Sequence, residues 1–162
     1  MKPTLSLLVM SSLFLMVIAS CKKKSIEKTD EEIYDALAES GYVYYQGGSV
    51  LQAKGGSPHG PFKLKFNGTA QTVLNSSQEL PTGSAFPNGS ILVKELYNGT
   101  TLNLYVVMKK DDSNKYAEQG WLWAEYDTDG EVIYSVGRKG SSCISCHTAT
   151  PNRDLIRTFD LH

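Results

Sequence analysis

Cysteine is scarce in this chain of 162 residues, which has three. Two stand in Cys143-Ile144-Ser145-Cys146 and the third, Cys21, ends an apolar leader, so none is left over for a structural disulfide. Long apolar runs are lacking too. The uncharged, largely apolar stretch from Leu5 to Ala19 covers about 15 residues, short of the roughly 20 that cross a bilayer. Nor is one sign of charge in excess. A leader that carries away Lys2 takes one of 16 basic residues and leaves 15, against 17 acidic ones. So even a balance gives no strong field for nucleic acid and excludes that class of partner.

The leader itself is informative. Met1-Lys2, the apolar run and the small residues at its end have the layout of an export signal that is cut away. Its ending, Ile18-Ala19-Ser20-Cys21, resembles a bacterial lipobox, in which the cysteine becomes the new N-terminus and carries acyl chains. Two chains already anchor a protein stably, since each buried methylene contributes about 0.8 kcal/mol. The sequence therefore predicts a signal peptide over 1–20, a lipidated Cys21 opening a flexible tether over 21–29, and a single domain over 30–162. Lys22-Lys23-Lys24 would face lipid headgroups or be simply solvated. The expected location is the bacterial cell envelope, facing the periplasm or on the cell surface. An ordinary secretory signal followed by an unmodified cysteine is the competing reading.

Within the domain, Asp30 is expected to cap a short helix with Ile33, Ala36 and Leu37 on one face and Gly41 as its stop. Gly47-Gly48 and Gly55-Gly56-Ser57-Pro58 bracket a loop-rich stretch. Phe62, Leu64 and Phe66 then alternate with Lys63 and Lys65, the pattern of a half-buried strand. A weak helix is expected over 69–75 and strands over 91–97, 102–109, 121–126 and 131–136, with turns at 98–99, 111–120 and 127–130. Short connections require antiparallel pairing, because a parallel crossover needs a dozen residues or more. The fold class is thus α+β, an antiparallel meander with a few helices, one of them near the C-terminus. Three Asn-Gly-Ser/Thr sequences, at Asn67, Asn88 and Asn98, read as turns.

Cys143-Ile144-Ser145-Cys146-His147 has the attachment pattern of a c-type haem. On a helical turn residues three and four apart share a face, so both thiols reach the vinyl groups while the imidazole turns toward the iron. A redox dithiol belongs near a βαβ unit, whereas this motif follows a meander. Zinc needs four ligands in a tetrahedron, and adjacent Cys146 and His147 are poorly placed to share one. One covalent haem c, with His147 as iron ligand, is the expected cofactor.

Three blocks in order, 86–95 with its Val93-Lys94-Glu95 strand, 120–126 with Gly120-Trp121-Leu122-Trp123, and the haem motif, resemble the cytochrome P-460 family and its relative cytochrome c′-beta. The likeness covers about 58–159; the helix and leader before it fall outside. The resemblance implies an antiparallel sheet packed on helices, usually dimeric, and a five-coordinate iron held by His147 with an open opposite side. It implies hydroxylamine oxidation in cytochrome P-460 proper, with a lysine bonded to the porphyrin edge, and the matching residue is Lys94.

The residues give Lys94 independent interest. It shares a strand face with Leu92 and Leu96, where desolvation favours the neutral, nucleophilic amine unless the chain reaches out to water. For the second axial position the chemistry offers His59, Met108 and His162. Met108 shares a face with Leu102, Leu104 and Val106 and reads as core; His162 ends the chain; His59 sits in the rigid turn Ser57-Pro58-His59-Gly60-Pro61, able to overhang a pocket. Trp121 and Trp123 share a face that lines the pocket or fills the core, and Glu125 continues it as a proton acceptor. Arg153 and Arg157 are candidates to pair with haem propionates. The leading expectation is a haem protein that binds or oxidises hydroxylamine or nitric oxide, together with a redox partner protein. The alternatives are an electron-transfer cytochrome, its sixth ligand supplied by His59 or Met108, and a gas-binding protein without the cross-link.

Overall fold

Strand alternation and short turns decide the architecture. In the computed structural model, which describes residues 23–52, 54, 57–149 and 153–160, six strands form one antiparallel sheet in simple chain order, each paired with the next. A helix over 23–36, α1, precedes β1 (Val43–Tyr44). Then come β2 (Phe62–Phe66), the short helix α2 (Gly68–Gln71), β3 (Ile91–Asn98) and β4 (Thr101–Lys110). The strands β5 (Trp121–Tyr126) and β6 (Val132–Tyr134) and the helical turn α3 (Ile144–His147) complete the order. The meander and its helices match the expected α+β class, while β1 falls between Gly41 and Gly47, where no strand was expected.

Period two sorts the side chains onto two faces. On one face Phe62, Leu64, Phe66, Leu92, Trp121 and Trp123 join Phe86, Ile156 and Phe159 from the covering loops. On the other, Val93, Val107, Leu122, Ala124 and Tyr126 bury against Ile33 and Ala36 of α1. The sheet is therefore covered on both sides, by α1 on one and by the C-terminal segment on the other.

Three local expectations are corrected. Residues 23–29, expected as a flexible tether, are helical. Ile26 packs on the same core as Ile33, seven residues or two turns on, and Lys23 with Glu27 and Lys28 with Glu32 form the pairs that support a helix at spacing four. Asp30 accordingly lies inside α1 rather than capping it. Its buried carboxylate accepts hydrogen bonds from Ser135 Oγ at 2.6 Å and Val136 N at 2.9 Å, and its carbonyl accepts one from Tyr126 Oη at 2.8 Å. The helix expected over 69–75 is shorter and starts earlier, because Asn67 caps it: Asn67 Oδ1 accepts from Ala70 N at 3.0 Å. The signal peptide and Cys21 lie outside the described residues. Among the described residues no helix is long and apolar enough to cross a membrane.

Candidate functional site

Gly140 starts the turn that organises the site. Its carbonyl accepts from Cys143 N at 2.8 Å and Ile144 N at 3.0 Å, and Cys143 O then accepts from His147 N at 3.2 Å. One turn thus carries Cys143, Cys146 and His147, as their spacing predicts. Both cysteines are free thiols, Cys143 half-buried and Cys146 exposed, and both line a cleft of about 590 Å³. Burial pushes the Cys143 thiol up from its ordinary value.

His147 is oriented from outside the motif. Asp154 and Leu155, with φ of 52° and 68°, are successive left-handed residues that turn the chain back, and the Leu155 carbonyl lies 2.7 Å from His147 Nδ1. A carbonyl only accepts, so Nδ1 carries the proton and Nε2 keeps its lone pair. The ring packs edge-on against Trp123 at 4.9 Å. Burial lowers its pKa to about 4, with Lys94 and Arg157 adding to the effect against the raising bond to Leu155. The imidazole is therefore neutral at neutral pH, the form that binds a metal.

The facing wall is the sheet. Leu64, Lys94, Val106 and Glu125 stand in one row across β2 to β5. Lys94 Nζ sits 4.4 Å from the centre of the Phe62 ring, and burial lowers its pKa to about 8. Its residue as a whole is only half-buried, because it also reaches the open cleft. Glu125, half-buried farther along the row, has its pKa raised by burial against the opposing charge of Arg138. Leu92, Met108 and Ile156 close a smaller pocket of about 30 Å³ shared with His147 and Lys94.

His59 borders both cavities, and its ring centre lies 6.5 Å from that of His147 with the planes 80° apart. Burial first, then the charges of Lys94 and His147, lower its pKa to about 4. The turn that carries it is held to the sheet at its far end, where Tyr97 N of β3 donates to Pro61 O at 2.8 Å, while within the turn His59 N donates to Ser57 Oγ at 3.2 Å.

The structure thus gathers Lys94, Glu125, Cys143, Cys146, His147 and His59 around one space, with Met108 buried at its floor. Trp123 lines the pocket, whereas Trp121 is core and donates to Asp154 Oδ1 at 3.3 Å. Of the two arginines, Arg157 borders the cleft; Arg153 is instead paired with Glu79 at 3.0 Å and Asp160 at 3.1 Å. His162 lies outside the described residues. Sequence reasoning missed the Leu155 carbonyl, which no side-chain pattern marks, and Thr158, which borders both cavities.

The donor set fits a c-type haem. Two thiols and a neutral imidazole share a turn, the walls are apolar, and two buried polar atoms of the lining residues, Trp123 Nε1 and Thr158 Oγ1, have no hydrogen-bond partner among the described residues. Among the described residues no three His, Cys, Asp or Glu side chains gather as they would to hold a bare metal ion. The family model described as Cytochrome P460 matches residues 67–158, more than half of the chain. The matched span includes Lys94, Glu125 and the whole Cys143–His147 motif, and it leaves out α1 and His59. No curated protein matches the chain.

Proposed function

The chain belongs to the cytochrome P460 family of haem-binding proteins, and from that premise we propose that it carries one covalent haem c and binds or oxidises a small nitrogen species, hydroxylamine or nitric oxide. The observation that carries this reading is the orientation of His147: its Nδ1 is tied to Leu155 O, so its Nε2 is the free ligand atom beside the two thiols. Each thiol adds across a vinyl group, the sulfur bonding one carbon and the hydrogen passing to the other, so attachment needs no oxidant. When bound, haem supplies an iron that accepts a small nitrogen ligand and passes electrons to a redox partner protein.

The chain's own residues divide the remaining work. Leu64, Leu92 and Val106 would exclude water from the macrocycle, and Arg157, at the border of the cleft, would pair with a propionate. Glu125, its proton affinity raised by burial, takes up a proton released when hydroxylamine is oxidised. Lys94 presents a readily neutral amine to the haem edge. Joining its nitrogen to a porphyrin carbon releases one proton from each and two electrons, so that bond needs a two-electron oxidant of the peroxide class. Cys21, acylated, would hold the domain at the membrane, and labelling with a radioactive fatty acid checks it: no label at Cys21 refutes the anchor.

The test is intact mass with oxidised and reduced spectra, on protein expressed with haem-maturation machinery. One haem that survives acid extraction is expected, and its loss in Cys143→Ala/Cys146→Ala; a wild-type chain without covalent haem refutes the proposal. A tryptic peptide with free Lys94 excludes the cross-link. Hydroxylamine turnover with an artificial electron acceptor separates an enzyme from a gas-binding protein. An electron-transfer role is the second reading, favoured by the imidazole of His59 close to His147.

A further inference from the structure

We infer that His59 is the second axial ligand of the resting haem, on the face opposite His147, and that it gives way when a small nitrogen ligand binds. The inference rests on the haem reading above and adds to it an occupant for the side that the family resemblance leaves open.

Three observations support it. Two imidazoles that bind one metal from opposite sides, each at roughly 2.0 Å, hold their ring centres about 6 Å apart. The His59 and His147 rings are 6.5 Å apart, although they come from distant parts of the chain. Second, both rings border the same two cavities, so they face one shared space. Third, the His59 ring has no hydrogen-bond partner among the described residues; only its backbone N is held, by Ser57 Oγ. No hydrogen bond among the described residues therefore competes with a metal for its ring nitrogens.

The other candidate for the position fits less well. Met108 is a core residue at 7 % exposure, on the sheet floor beside Trp123, its β5 neighbour, which itself packs on His147. His59 comes from a loop outside the sheet. A loop ligand is also the kind that can leave: moving it breaks the iron–nitrogen bond, shifts no electrons and disturbs no strand pairing.

The experiment compares wild type with His59→Ala and Met108→Leu, each first shown by mass to carry covalent haem. Electron paramagnetic resonance and absorption spectra then read the spin state. Low-spin, six-coordinate iron is expected in wild type and Met108→Leu, and high-spin iron in His59→Ala, with imidazole in the buffer restoring the low-spin form. High-spin wild-type iron overturns the inference, as does a low-spin His59→Ala protein. Nitric oxide titration tests displacement. If His59 leaves the iron only about a tenth of the time, its removal strengthens apparent nitric oxide affinity about tenfold; a low-spin wild type that refuses nitric oxide overturns the displacement. Absence of haem from all three proteins refutes the proposed function instead, a result distinct from any spin-state outcome.

Discussion

Gly140→Ala tests the packing that holds the site together. Gly140 has φ of +63°, and a Cβ there would meet Trp123 at 2.7 Å to Cδ1 and 2.9 Å to Cγ. Real side chains do not tolerate such contacts, so the indole must shift, and the indole is what packs against the His147 ring at 4.9 Å. The substitution has two costs: about 1–2 kcal/mol for a left-handed alanine and about 1–3 kcal/mol for overpacking. Gly99→Ala is the control, because Gly99 has nearly the same φ of +61° with nothing within 4 Å of the added carbon. Urea unfolding followed by far-UV circular dichroism should place Gly140→Ala about 1–3 kcal/mol below Gly99→Ala, the overpacking part alone. The haem spectrum should change in Gly140→Ala and not in Gly99→Ala. Equal losses in the two variants, or an unaltered spectrum in Gly140→Ala, would refute the claim that Trp123 positions His147.

Two further expectations concern charge. Asp154 holds the returning C-terminal segment to the sheet: its carboxylate pairs with buried Lys110 at 2.9 Å and accepts from Phe86 N at 2.8 Å. Asp154→Ala should cost about 3–5 kcal/mol, as for breaking a buried pair, toward the lower end because Asp112 is only 3.9 Å from Lys110; Asp154→Asn, comfortable at a left-handed φ, should cost less, and equal unfolding midpoints for the two would count against the ion pair. Tyr42 and Tyr44 have their pKa raised from 10.0 to about 12, mainly by burial and secondarily by Glu39 and Glu95 respectively. Because the folded state then binds more protons than the unfolded one between pH 10 and about 12, the stability they contribute is complete below pH 10 and is lost as pH rises through that window. Denaturant midpoints across it should fall, and absorbance titration should show at least two tyrosines ionising late.

Strand faces were legible because they depend on a period of two and on short turns, both local properties. Trp121 and Trp123 face one core and Leu122 and Ala124 the other, as alternation requires. The reach of α1 was less legible, since a single apolar Ile26 among charged residues carries little periodic signal until the sheet is there to receive it.

The sequence by itself determined the meander and the set of reactive groups: two thiols and an imidazole on one turn, and a lysine on the apolar side of β3. Both follow from short-range spacing, which the backbone enforces wherever the segment lies. Only the tertiary structure decided which tautomer His147 takes, that Arg153 is spent on Glu79 and Asp160 while Arg157 borders the cleft, and that His59 comes within 6.5 Å of His147. Those relations join segments far apart in the chain. Their distances are set by how the loops return across the sheet, and no local pattern of residues encodes that path.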